Sequence, residues 1–354
     1  MRRPRGRLTR RCGLAGLLVG LSACATAAPT VQSLAPHASL RPSPTMTLRP
    51  TARASPVVRR AAPVRRSPPL APPFALGTRV VTVLDPTRGT PARGPTPAHS
   101  GRVLTTTVWY PVRGPASAGV VSDATPLAGA FPLIAFAHGF DVTPARYASL
   151  TEQLAGAGYV VAAPLFPISG AGLPGPPSED DMANQPGDLS AVITAMLRAA
   201  TPGGWLAGAV DPRRIALVGH SDGAETVAAM MVVPADRDPR VGAAVILAGQ
   251  LPTWGGEPEP ERIPILLEQG RDDTINPPYL SQDLFAALHP PKSYLDVFTG
   301  THIEPVVGTS VDAVAVRASV VAFLDLTFHP TRSALRDLLR WADDPGVTAL
   351  RTVG

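Results

Sequence analysis

Three side chains, Ser221, Asp273 and His302, are of the types that acyl transfer by an activated serine uses. A serine hydroxyl is a poor nucleophile at neutral pH. It needs a base within hydrogen-bond reach, and the base needs a group to orient it. Ser221 lies in Gly219-His220-Ser221-Asp222-Gly223, directly after the apolar run 215–218 and directly before the helical run 224–231. The two glycines suit a strand-to-helix turn too sharp for a Cβ, one that strains the serine backbone. Such a turn lifts the serine above a sheet at a helix N-terminus, where free N–H groups and the helix dipole stabilise negative charge. The flanking context carries this signal, not the five letters. Pro115 to Gly119 nearly matches around Ser117, but it lies in a loop with no strand before it.

The acid and the base should follow later strands. Residues 263–268 read as a strand leading into Gly270, Asp272, Asp273 and Pro277, and residues 294–298 as one leading into His302. Two aspartates compete. The spacing G-x-x-D-x-x-x-P, from Gly270 to Pro277, favours Asp273 and leaves Asp272 as a solvated neighbour or a partner of Arg271. His302 is the histidine between the last strand and the closing helices. His289 precedes that strand beside two prolines and reads as a loop residue, and His329 follows a helix and reads as exposed.

Developing negative charge on a tetrahedral intermediate needs two N–H donors. One is expected at Asp222, after the nucleophile. The other is expected at Phe140, where Gly139 lets the loop after the third strand turn back. His138 and His220 read as structural, the first holding that turn. Trp254 is equally an acyl-binding wall or an aromatic packed under a loop. The scattered histidines form no metal-ligand cluster, and no cofactor is expected.

The elements that must position these groups run through one large domain, residues 74–342. An antiparallel pair (78–84, 104–110) is followed by strands alternating with helices. The strands are 133–137, 159–163, 215–218, 243–248, 263–268 and 294–298. The helices are 146–156, 188–199, 310–328 and 331–341. Continuous apolar strands alternating with helices imply an α/β fold, a mostly parallel eight-stranded sheet covered on both faces. Residues 248–262 leave no room for a large cap domain. The loop 166–185 is the expected cover of an open site suited to short or medium acyl esters. Residues 343–354 read as a C-terminal tail.

The N-terminus has a different texture. Residues 1–11 hold six arginines and no acid, and a small-residue apolar run follows. Residues 1–28 read as a signal peptide. Leu21-Ser-Ala-Cys24 resembles a bacterial lipobox in which Cys24 is lipidated, and Thr9 to Leu14 a twin-arginine export motif. This predicts export and a lipid anchor at the cell envelope, or secretion if the lipobox is not used. Cys12 and Cys24 are the only cysteines, so no disulfide forms within the domain. Residues 29–73, rich in Pro, Ala and Arg, read as a disordered linker. Residues 1–70 carry 13 arginines and no acids, which leaves 19 basic against 27 acidic residues beyond them, a net of −8. The basic arm is therefore leader and linker. Nucleic acid is not an expected partner, and a monomer is expected.

Several stretches together resemble the α/β-hydrolase branch holding dienelactone-hydrolase-like esterases, platelet-activating-factor acetylhydrolase-like lipases and bacterial cutinase-like polyester hydrolases. They are 77–82, 108–111, 138–140, 184–190, 219–223, 273–277 and His302, and the resemblance covers about residues 74–328. It implies an α/β-hydrolase fold, Ser221, Asp273 and His302 as a triad, Phe140 and Asp222 as oxyanion donors, and a small ester, lipid or polyester as substrate. Two departures point away from a specific polyester hydrolase. Cutinase-like members often have Met where this chain has Asp222, and often a C-terminal disulfide that this chain cannot form. Two other classes remain open, an amide or peptide hydrolase with the same triad and a non-catalytic lipoprotein binding module on this fold.

Overall fold

The computed structural model describes residues 73–354. The signal peptide, Cys24 with its lipobox, and nearly all of the linker lie outside the described residues.

Apolar runs with no polar alternation demand cover on both faces, and the centre of the sheet consists of such runs. In chain order the strands are β1 (Ala75–Asp85), β2 (Arg102–Val112), β3 (Val120–Ser122), β4 (Phe131–Ala137), β5 (Val160–Pro164), β6 (Val210–His220), β7 (Ala243–Leu247), β8 (Ile265–Gly270), β9 (Lys292–Val297) and β10 (Thr348–Val353). They form one sheet in the order β10-β9-β8-β7-β6-β4-β5-β2-β1-β3. From β9 to β5 every pairing is parallel. β1 and β2 pair antiparallel over their full length, from Ala75 against Val112 to Asp85 against Arg102.

The helices are α1 (Ala148–Gly156), α2 (Gln185–Ala199), α3 (Asp222–Val232), α4 (Pro278–Ala287), α5 (Glu304–Val307), α6 (Val311–Phe328) and α7 (Arg332–Ala342). Ser310 and Thr331 cap α6 and α7, each hydroxyl accepting from a backbone N–H three residues on. Alternate residues of each buried strand feed two cores. Leu133, Ala135 and Leu217 pack with Val192, Ile193 and Val227 on the side of α2 and α3. Ile134, Phe136 and Val218 pack with Leu150, Val316 and Phe323 on the side of α1 and α6. The fold is the α/β-hydrolase fold.

Two strands correct the expected eight. β3 is a three-residue edge strand pairing parallel with β1. β10 lies in the segment read as a tail. It pairs antiparallel with β9, from Thr348 against Val297 to Val353 against Lys292. Its side chains explain the attachment: Thr348 is buried, and the Arg351 guanidinium lies 4.4 Å from the Phe285 ring centroid and 5.4 Å from that of Tyr294. Edge pairing and cation–π contact with residues some sixty positions away leave little local periodicity to read.

The long loop 166–185 is tied down by charge. Arg102, fully buried on β2, donates to both oxygens of Asp188 at 2.6 Å and to Asp181 at 2.7 and 3.2 Å. Arg88 adds bonds to Asp188 and to the Asn184 carbonyl. Bidentate guanidinium–carboxylate pairs fix orientation as well as contact. They hold the segment that forms one wall of the cavity described below.

Candidate active site

Ser221, Asp273, His302 and Phe140 all follow the C-terminal ends of parallel strands, where ligand crevices of such sheets lie. Ser221 sits at the junction of β6 and α3 with φ +57° and ψ −125°. A serine holds this conformation only when its surroundings enforce it. They do so through the two glycines. A Cβ on Gly219 would fall on the Gly223 carbonyl, and one on Gly223 would fall on the Ala137 carbonyl.

The three chemically suited side chains meet in one hydrogen-bonded chain. Ser221 Oγ lies 2.9 Å from His302 Nε2, and His302 Nδ1 lies 2.8 Å from Asp273 Oδ2. With the carboxylate facing Nδ1, that nitrogen carries the proton and Nε2 is left to accept from the serine. Asp273 is buried. Its Oδ1 accepts the Ile275 and Asn276 amides at 2.9 Å, and Gln269 donates to Oδ2 at 3.2 Å. Burial pushes this carboxyl's pKa up, but the bonds from His302 and the two amides outweigh it and hold it below its ordinary value. Asp272 is exposed, and Arg271 pairs with Asp296 instead.

Phe140 belongs to a loop packed tightly on the serine: a Cβ on Gly139 would come within 3.0 Å of Ser221 Cβ. His138 holds this loop, as expected for a structural histidine. Its Nδ1 donates to the Gly139 carbonyl at 2.7 Å, and its Nε2 accepts the Phe166 N–H at 3.0 Å. Burial, only partly offset by the Gly139 bond, lowers its pKa to about 4, so it stays neutral. The Asp141 N–H donates to Ser169, tying the same loop to the segment after β5. Asp222 opens α3, and its N–H stands in the first turn, where no intrahelical acceptor exists.

Phe140, Ser221, Asp222 and Trp254 line one cavity of about 470 Å³. Trp254 both lines this cavity and packs against the core, with its indole N–H on Asp236 at 2.9 Å. The rest of the wall includes Glu179, Asp180, Glu225, Gln250 and Thr253. Glu225 is buried and, among the described residues, accepts only from neutral donors, Gln250 at 2.7 Å and the Thr253 amide at 2.9 Å. Burial, with Glu179 and Glu225 nearby, pushes the Asp222 carboxyl up to about 7. Sequence reasoning expects the loop 166–185 over the site but misses Glu225, Gln250 and Thr253. Glu225 stands one helical turn after Ser221, a spacing that puts both on one face of α3, but the partners that give it meaning come from the loop after β7.

A second buried carboxyl lies near Asp273. Glu268, on β8, is buried with no partner for Oε1 among the described residues, and burial together with Asp273 and Asp312 pushes it up to about 8. Its folded pKa is above the ordinary glutamate value, so the folded state holds a proton that the unfolded state loses. The contribution of Glu268 to stability therefore falls as pH rises from the glutamate range to about 8, and is level below and above that window. Glu268→Gln removes the penalty. Chemical denaturation of the variant and the parent should agree near pH 4 and differ at pH 9 by on the order of 2–4 kcal/mol in favour of the variant.

The comparisons with known proteins agree with this architecture. The chlorophyllase family model matches residues 110–250, the stretch that includes Phe140, Ser221 and Asp222. No protein with a curated description matches the chain. Among solved structures, the chain is similar to a ferulic acid esterase from Streptomyces cinnamoneus, with a TM-score of 0.56 and 24% identity over 76% of this chain and 96% of that one. The likeness to this structure is one of fold, with the sheet carrying Ser221, Asp273 and His302 at its C-terminal edge.

Proposed function

We propose that the protein is a serine hydrolase that cleaves carboxylic esters through an acyl-enzyme. The observation that carries this reading is the unbroken chain from Ser221 Oγ through His302 to buried Asp273. Both the chlorophyllase family match and the likeness to a ferulic acid esterase support an ester as substrate.

In this mechanism His302 Nε2 takes the Ser221 proton as Oγ attacks the ester carbonyl. Asp273 stabilises the resulting imidazolium. The carbonyl oxygen becomes an oxyanion held by the Phe140 and Asp222 N–H groups. The tetrahedral intermediate collapses, His302 returns the proton to the departing alkoxide, and the alcohol leaves. Water, deprotonated by His302, attacks the acyl-enzyme. A second collapse releases the carboxylic acid and restores Ser221. The cavity, with Phe140, Met182 and Trp254 among acidic neighbours, suits a short or medium acyl group without negative charge.

A fluorophosphonate probe tests the nucleophile directly. Wild-type protein should gain one covalent adduct, and peptide mapping should place it on Ser221. An adduct elsewhere, or equal labelling of Ser221→Ala, would remove the basis for the mechanism.

A further inference from the structure

The oxyanion loop and the base reach Ser221 from different strands, and one buried pair of side chains joins them. Tyr147, in the turn before α1, and His220, the residue before the nucleophile, are both 1% exposed. The Gly139 N–H donates to Tyr147 Oη at 3.0 Å. Tyr147 Oη lies 2.9 Å from His220 Nδ1. His220 Nε2 lies 2.8 Å from the main-chain oxygen of His302.

Only one arrangement of protons satisfies this chain. A carbonyl oxygen can only accept, so His220 Nε2 carries the proton. Neutral His220 then offers Nδ1 as an acceptor, and the tyrosine hydroxyl, already accepting from Gly139, donates to it. Burial and the neighbouring His302 hold the His220 pKa down to about 4, which keeps that single form. The Tyr147 ring is also wedged against Phe136, with centroids 4.9 Å apart, so its hydroxyl has little freedom to wander.

From this geometry we infer that Tyr147 and His220 are positioning residues for the proposed acyl transfer, an inference that rests on the esterase reading above. Through Gly139 they set the height of the Phe140 N–H over Ser221. Through the His302 carbonyl they set the base on the other side of the same atom. Neither touches the reacting atoms. The relay keeps an oxyanion donor and a proton acceptor in one register across the serine. A misplacement of about 1 Å at such a site costs on the order of a hundredfold in rate.

Tyr147→Phe tests the relay with the ring packing kept. With an activated ester, kcat should fall about ten- to a hundredfold while KM stays within about twofold, because the lost register matters only in the transition state. His220→Ala should behave alike. The double variant should fall no further than the worse single one, since one chain has been cut twice. Side-chain 15N spectra of the histidines supply a readout independent of turnover. His220 should show a protonated Nε2 and a bare Nδ1 from pH 5 to 9 in the wild type, and the His302 signals should shift in Tyr147→Phe.

Unchanged kcat in a folded Tyr147→Phe protein overturns the proposal. So does a loss in which kcat, KM and thermal midpoint all move together, which marks packing alone. If the wild type turns over no ester, the esterase reading fails separately. The spectra then decide the relay, and a His220 protonated on Nδ1, or His302 signals unmoved in Tyr147→Phe, overturns it.

Discussion

His302→Ala is expected to lower ester turnover by on the order of 10⁴- to 10⁶-fold in kcat, with little change in KM. His302 Nε2 stands 2.9 Å from Ser221 Oγ, and in the proposed mechanism it carries the proton in both halves of the cycle. Without it the serine keeps its proton at neutral pH, and the departing alcohol lacks a donor. KM should hold, because the walls of the cavity proposed for the acyl group come from other elements. The alanine leaves a space beside Ser221, so added imidazole should recover part of the lost rate. Partial rescue by imidazole, measured by initial rates, separates loss of a base from loss of folding. A variant that keeps wild-type kcat would mean that another group takes the serine proton.

Asp273→Asn is expected to cost on the order of 10⁴-fold in kcat at neutral pH. The substitution preserves shape but changes what faces the imidazole. An amide nitrogen turned toward Nδ1 drives the proton to Nε2, the atom that must accept from Ser221. The alternative rotamer places the nitrogen against the Ile275 and Asn276 amides, which now donate to Oδ1. Either way the histidine loses the charge that stabilises its imidazolium. Asp272→Asn is the matched control, because Asp272 is exposed and its neighbour Arg271 pairs with Asp296. Its rate should stay within about threefold of wild type, the scale of a surface substitution. Equal losses at the two positions would contradict the assignment of the acid.

The pattern of what the sequence revealed follows from how local each signal is. The turn around Ser221 is written in adjacent letters, an apolar run, two glycines at fixed spacing and a helical run, and it folds as one unit at the end of β6. Asp273 and His302 are far from it in the chain, yet each follows a strand whose apolar run is itself local. The parallel centre of the sheet was legible for the same reason. β10 was not, since its six residues gain their place from β9 and from rings on α4 and β9. Nor was the part of the cavity wall that Glu225 supplies. Glu225 reads as an ordinary helical residue until the loop after β7 brings Gln250 and Thr253 against it. Tyr147 was equally silent, because its role depends on His220 and Gly139 arriving from separate strands. Asp222 shows the mixed case. Its place after Ser221 was plain, but its raised pKa arises first from burial and then from Glu179, on the loop 166–185, and Glu225, one turn along α3.

The wall of carboxylates also bears on which substituents suit the site. Among the described residues Glu225 has no cation as a hydrogen-bond partner, and the buried Asp222 Oδ2 has no hydrogen-bond partner. A substrate carboxylate placed there would meet like charge in a partly desolvated space, which raises its cost. Neutral acyl groups avoid that cost, in keeping with the proposed ester chemistry.

The most direct measurement is hydrolysis of p-nitrophenyl esters, from acetate to palmitate, by residues 74–354 and by the same protein with Ser221→Ala. The wild type should turn over at least one member of the series, and the variant, equally folded by circular dichroism, should lose roughly three or more orders of magnitude in kcat/KM. A wild type that is folded and silent on every ester, or a Ser221→Ala protein that hydrolyses as well as its parent, would contradict Ser221 as the nucleophile of an ester hydrolase.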